Sequence, residues 1–327
     1  MIIDFHTLEE TFLSVLLKHG FSNEAASSMA GIFTETTFDG VFSHGINRLP
    51  RFIGDVKSGT VKADAVPELK GGTEALEQWE GHRGPGIMNA IHCTERSLEL
   101  AGKYGIGCVG LRNTNHWMRG GTYGWRAAEK GFLFMGWTNT LPNMPPWGGD
   151  TPAVGNNPFI LAIPHRDGHI VLDMAMSQYS YGKLEWHKKC GTDLPEYGGY
   201  NRENQLTKNP DEILETERML PIGLWKGSGL SLVLDLAAAI LAGGNSTKNI
   251  GDLPAETDLS QVFISVDIKR HLGKDKVDAL IGETLDFIKN RNPLAQYPGE
   301  RSLKNRKKHL EHGVEIPSEI WEEILQL

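Results

Sequence analysis

The chain has 327 residues, 39% hydrophobic and 23% charged, with a formal net charge of −8. That length allows one large domain or two intimately joined ones, and the composition is that of a globular protein. The acidic balance argues against a nucleic-acid partner, whose phosphates call for a basic surface.

At the start of the chain, Met1–His6 lacks a basic region before an apolar stretch, so no signal peptide is expected. Thr7-Leu-Glu-Glu10 has the form of a capping box and predicts a helix through Phe12, Val15 and Leu16 to a stop at Gly20. Ser22 can cap a second helix to about Asp39, ended by Gly40. Leu49, Phe52, Ile53 and Val56 mark a third, closing at Gly59.

From about residue 70 the texture becomes α/β. A helix from Ile87 to Gly105 precedes a strand at Ile106–Leu111, a helix at Gly121–Lys130 and a strand at Phe132–Thr138. Phe159–Ile163, Ile170–Met174 and Val262–Val266 are further strand-like runs; Ser180–Lys189, Ser228–Ala242 and Lys274–Lys289 read as helices. No apolar run reaches the roughly 18–20 residues of a membrane span. The longest, Leu230–Leu241, is interrupted by Ser231 and Asp235 and reads as a buried helix. Leu303–His312 and Ser318–Leu327 return to helix, and the basic cluster Lys304-Asn-Arg-Lys-Lys308 reads as the solvated face of the first. The order predicts an α/β fold with a mixed sheet covered by helices. Residues 1–70 with 291–327 are expected to form a separate helical layer, and 71–290 the cofactor- and substrate-binding domain.

Cys93, Cys108 and Cys190 are too few and too scattered for a disulfide framework or zinc knuckle, so the cytoplasm is the expected compartment. The twelve histidines form no H-E-x-x-H, and no metal site is expected. Gly105-Ile-Gly-Cys-Val-Gly110 matches G-x-G-x-x-G in letters, but a helix precedes it and a strand runs through it. A Rossmann loop has the reverse order, so that the helix N-terminus meets the pyrophosphate.

Ser43-His-Gly-Ile-Asn-Arg48 carries more chemistry. His44 and Arg48 share a face if the turn is helical. An imidazole can protonate a carbonyl oxygen as it becomes an alcohol, and a guanidinium fork suits a carboxylate. A capping serine beside a structural histidine and a surface arginine is the plain alternative. Asn113–Gly124 follows a strand end and packs amides, His116 and a cation among glycines; Trp137–Gly149 reads as a Pro-rich ordered loop lining a pocket. Trp225-Lys-Gly-Ser-Gly229 leads into a helix whose amides, with Lys226, could meet a phosphate; a tight helix start explains it equally well.

Together, Gly40–Arg48, Asn113–Gly124, Pro145-Pro-Trp-Gly148, Gly155-Asn-Asn-Pro158, Leu172–Ser177 and Trp225–Gly229 resemble the malate/L-lactate dehydrogenase family distinct from the Rossmann malate and lactate dehydrogenases. The resemblance runs the length of the chain. It implies a homodimer with a non-Rossmann nicotinamide-binding fold that reduces a small 2-oxo acid with NADH, NADPH less so, and with no membrane partner. His44 would be the acid, with Arg48 and the Asn115-His116 pair holding the carboxylate and neighbouring oxygens; in some relatives the His116 position is the acid. Cofactor contacts carried over by motif are Ile170, Val171, Leu172, Asp173, Met174, Ala175, Met176, Trp225, Lys226, Gly299, Glu300 and Arg301.

Overall fold

The computed structural model describes residues 1–270 and 272–327. A short strand β1 (Ile2–Ile3) leads into helices α1 (Phe5–Lys18), α2 (Asn23–Phe38) and α3 (Leu49–Lys57), with tight turns at Phe42–His44 and Ile46–Arg48 between the last two. The helix α1 begins ahead of the predicted capping box. Asp4, not Thr7, is the N-cap, accepting from Thr7 N at 2.9 Å and Thr7 Oγ1 at 2.7 Å. A carboxylate there satisfies an orphan amide and complements the helix dipole.

The α/β part comprises β2 (Glu68–Gly72), β3 (Leu76–Glu80), α4 (Gly86–Tyr104), β4 (Ile106–Thr114), α5 (Gly121–Glu129), β5 (Leu133–Thr138), β6 (Phe159–Ile163) and β7 (Ile170–Met174). An excursion follows, with α6 (Tyr181–Lys189), β8 (Gly199–Tyr200), β9 (Leu206–Thr207) and α7 (Pro210–Thr216). The chain then forms α8 (Trp225–Ala242), α9 (Thr247–Gly251), β10 (Leu259–Val266), α10 (Lys274–Arg291), α11 (Glu300–His312), β11 (Val314–Glu315) and α12 (Ser318–Leu325).

Seven strands make one mixed sheet in the order β2-β3-β4-β10-β5-β6-β7. Only β3 and β4 run parallel; the other neighbours are antiparallel. The strand β10 inserts at the centre, so its partners lie far from it in sequence. The hairpin β2–β3 was not predicted: Glu68–Gly72 is exposed throughout and shows no alternation to read.

The glycine-rich run is no phosphate loop. Gly105 caps α4 in the left-handed region, and β4 passes through the remaining glycines. At Gly110 an added Cβ would lie 2.4 Å from Leu241 O, so the glycine lets α8 sit directly on the sheet. That helix corrects a second expectation. Leu234, Ala238 and Ala242 are buried, but Val233 is 61% and Ile240 73% exposed, with Leu232 and Leu236 also open. By length and composition α8 could cross a bilayer. Here one side covers β4, β5 and β10, and the other is left bare.

The terminal helices share one apolar core. Leu8, Phe12, Leu16, Met29, Phe33 and Phe52 pack with Val314, Ile320 and Ile324. Each such fully buried side chain contributes about 1.5–3 kcal/mol. The pairing of β1 with β11 clasps the two ends of the chain together.

Candidate active site

A cleft of about 980 Å³ runs between this helical layer and the β7 side of the sheet. Its volume lies at the upper end for ligand sites. His44 and Arg48 reach it from the tight turns after α2. At Gly45 a Cβ would lie 2.4 Å from Thr37 Oγ1, so only glycine lets the turn lie on α2. Thr37 Oγ1 accepts from Ile46 N at 3.0 Å and donates to Phe33 O at 2.8 Å, fixing the turn between His44 and Arg48.

His116 comes from the loop after β4 and stacks on His44, ring centroids 5.8 Å apart. Both rings line the cleft. Burial is the main cause that pushes the His44 pKa down to about 3, followed by the positive fields of Arg48 and Arg119. His116 is shifted well below its ordinary value, by burial first and then by Arg48, His44 and Arg51. Both rings are therefore neutral at pH 7 in the free protein.

Their hydrogen bonds separate them. Met118 N donates to His116 Nδ1 at 3.0 Å, so that nitrogen carries no proton and Nε2–H faces outward as a donor. His44 Nδ1 lies 2.9 Å from Ser43 Oγ, a hydroxyl able to donate or accept. His44 can thus take a second proton without losing a bond, and His116 cannot.

Asn115 does not join its neighbour in the cleft. Its Nδ2 donates to Thr60 O, Arg83 O and Gly84 O, and its Oδ1 accepts from Thr257 Oγ1 at 2.9 Å. Its amide hydrogens and oxygen are engaged inside the protein and it does not line the cleft, which corrects the expectation that it binds substrate: it anchors the His116 loop instead.

Arg119, from the same loop, does line the cleft. It pairs with Asp39, which is fully buried at the end of α2 and also takes Arg306 Nε at 2.6 Å and Nη2 at 2.8 Å. Arg119 Nη2 donates to Ser302 Oγ at 3.1 Å, and its Nε lies 4.0 Å from Asp173 Oδ2 on β7. This buried network joins the helical layer, α11 and the strand of the cofactor motif. Breaking such a cluster by removing one partner costs about 3–5 kcal/mol.

Of the motif-derived cofactor residues, Val171, Leu172, Asp173, Ala175, Gly299 and Arg301 line the cleft. Val171 N donates to Pro298 O at 2.9 Å, which lays the Pro298–Arg301 turn along β7. Ile170 and Met174 belong to the same strand but do not line the cleft, and Met176 is buried. Glu300 turns away to Lys289 and Lys304, whose hydrogen bonds hold its pKa at about 2. Trp225 and Lys226 stand exposed on the first turn of α8, outside the cleft.

The far wall is formed in part by the Trp137–Gly149 loop and the Gly155-Asn-Asn-Pro158 motif. Thr140 Oγ1 and Asn143 Nδ2 both donate to Asn156 Oδ1, each at 3.1 Å. Asn143 is 8% exposed and its Oδ1 has no partner among the described residues. A buried, unpartnered acceptor on a residue of the cleft wall suits an amide donor such as a nicotinamide carboxamide, and the cleft is large enough for that cofactor. Arg51 and Glu256 complete the end near Arg48. Asn156 lies within Gly155-Asn-Asn-Pro158, a signal the sequence offered; Glu256 sits in a loop with no periodicity to mark it.

A sequence profile described as malate/L-lactate dehydrogenase matches residues 3–325. The chain belongs to that family. It is an oxidoreductase acting on a hydroxyl or oxo group. The chain is 40% identical over 333 residues to the 2,3-diketo-L-gulonate reductase of Klebsiella pneumoniae (strain 342), covering 100% of both chains. It is 39% identical, with the same coverage, to the protein of that name from Escherichia coli (strain UTI89 / UPEC). The sulfolactate dehydrogenase of Methanocaldococcus jannaschii superposes with a TM-score of 0.88 at 27% identity, over 99% of this chain and 95% of that one. The malate dehydrogenase of Entamoeba histolytica, at 23% identity, shares the fold with a TM-score of 0.94 over 100% and 96%.

Proposed function

We propose that this enzyme reduces the 2-oxo group of 2,3-diketo-L-gulonate to give 3-dehydro-L-gulonate, with NADH as hydride donor and His44 as proton donor. The observation that carries the reading is the pair of stacked imidazoles beside Arg48, of which only His44 is free to gain and lose a proton.

Arg48 receives the substrate carboxylate in a planar fork. His116 Nε2–H donates to the 2-oxo oxygen and stabilises the charge that develops there. A bound nicotinamide supplies the hydride to C2. Val171, Leu172, Asp173, Gly299 and Arg301 would hold it, with Asn143 Oδ1 accepting from its carboxamide. The proton goes from His44 to the same oxygen as it becomes an alcohol. His44 is neutral in the free protein, so acting as acid requires it to gain a proton in the complex; the substrate carboxylate offsets the Arg48 field, the second cause of its lowered pKa after burial.

NADH is the donor the family resemblance implies. Arg301 lines the cleft without an ion-pair partner among the described residues, which makes NADPH the necessary control. The test is the loss of NADH absorbance with 2,3-diketo-L-gulonate, beside pyruvate and oxaloacetate and with NADPH in place of NADH. Fast oxidation with the diketo acid and NADH is expected; none with that substrate, but a signal with another oxo acid, would reassign the substrate.

We place the enzyme in the cytoplasm, in keeping with three free thiols. We assign it a homodimer that covers the bare face of α8. Leu232, Val233, Leu236 and Ile240 form a contiguous apolar strip of the kind that marks an interface.

A further inference from the structure

The substrate end of the cleft carries a carboxylate beside the arginine that the reaction uses. Glu256 Oε2 stands 4.0 Å from Arg48 Nη2, and the two side chains are 12% and 13% exposed. Glu256 lines the cleft, as do Arg51 and Glu217. Glu256 is also firmly held: its neighbour Thr257 donates to Asn115 Oδ1 at 2.9 Å, and the next residue, Asp258, takes Arg83 Nε at 2.8 Å and Nη2 at 2.6 Å. The amide that anchors the His116 loop therefore also anchors the loop bearing Glu256.

Of the charges that act on Arg48, the cation Arg51 comes first, followed by the anions Glu256, Asp55 and Glu185. Glu217, from the excursion after β7, adds a further carboxylate to the same cavity, and holds a left-handed backbone (φ 54°) that a non-glycine residue seldom adopts. Once a substrate carboxylate occupies Arg48, a second anionic group beside it would meet the carboxylate of Glu256, with Glu217 and Arg51 elsewhere on the same cleft wall. A hydroxyl would instead donate to that carboxylate.

We infer that Glu256 is a specificity-determining residue that rejects 2-oxo acids bearing a second negative charge and favours those with an uncharged, hydroxylated tail. The inference rests on the reading of this cleft as a 2-oxo acid reductase site. Rejection by like charge is a repulsive element built against the wrong ligand, distinct from any attraction to the right one.

The test compares kcat/KM for 4-hydroxy-2-oxobutanoate and oxaloacetate, which differ at C4 by a hydroxymethyl against a carboxylate. The unaltered enzyme is expected to favour the hydroxy acid. Glu256→Gln should shift that ratio toward oxaloacetate by about tenfold or more, since like-charge contacts at a recognition surface carry penalties of that order or larger. Glu256→Asp, which keeps the charge, should retain the preference. A ratio unchanged in Glu256→Gln, or both substrates weakened in parallel, would overturn the filter and leave Glu256 as a support for Arg48. Equal use of the two acids by the unaltered enzyme would overturn it even if the Gln variant fails to fold, while leaving the 2-oxo acid reading intact. No reduction of any 2-oxo acid by the unaltered enzyme would overturn both.

Discussion

His44 and His116 face each other with ring centroids 5.8 Å apart and planes inclined by 27°, carried by two segments 72 positions apart in sequence. One ring is pinned as a neutral donor by a backbone amide, and the other sits against a rotatable hydroxyl. Two rings of the same type in the same cleft thereby differ in protonation behaviour, according to what each Nδ1 touches.

Asn115 separates an anchoring role from a binding one. Its amide holds three carbonyls and the Thr257 hydroxyl, none of them in substrate's path. Asn115→Ala should cost roughly 1–3 kcal/mol of stability, the usual consequence of orphaning buried polar groups. Thermal denaturation beside steady-state kinetics checks this. A raised KM at unchanged melting temperature would mean that Asn115 contacts substrate after all.

The acid sensitivity of the fold has a definite sign. Burial depresses the pKa values of His44 and His116 below the ordinary histidine value of 6.5. As pH falls below about 6.5 the unfolded chain takes up protons that the native state refuses, so stability is lost on acidification. For His44 that loss continues to about pH 3. Melting temperatures between pH 7 and 5 should fall, and His44→Gln with His116→Gln should flatten the slope. His92 and His169, shifted the same way, keep their share of it. An unaltered slope in the double variant would contradict the neutral pair.

Much of this was legible in the sequence, for reasons particular to each element. The strands Phe159–Ile163 and Ile170–Met174 fall where their apolar runs end, because flanking Gly, Pro and Asp residues punctuate them. The helices at the two ends of the chain follow from 3.6-residue periodicity there. Two kinds of information were missing. Long-range pairing leaves no local trace, so the central place of β10 and the Asp39–Arg119–Arg306 network could not be read. Nor does a residue type reveal its partners: Asn115 and His116 are adjacent, yet one is spent inside the protein and the other faces the cleft. The helix α8 misled because its apolar residues occupy both faces, a pattern that belongs equally to a buried helix and to one awaiting a partner.

That bare face yields its own prediction. A charge at its centre, as in Val233→Glu or Leu236→Glu, should convert a dimer to a monomer, because a buried unpaired carboxylate is strongly unfavourable at an apolar contact. Sedimentation or light scattering at micromolar concentration reads the outcome. A parent protein that is already monomeric, or a variant that stays dimeric, would place the interface elsewhere.

In the proposed reaction His44 delivers the proton while His116 only donates a hydrogen bond, and glutamine separates the two. Its amide can donate a hydrogen bond but cannot transfer a proton at neutral pH. The decisive measurement is kcat for NADH oxidation with the 2-oxo acid substrate in His44→Gln and His116→Gln, with NADH binding followed by fluorescence to establish that the cofactor site is intact. His44→Gln is expected to lose about 10²-fold or more, the scale of a lost general acid, and His116→Gln distinctly less. The reverse order, with His116→Gln the more damaged, would contradict the assignment and give the proton to His116.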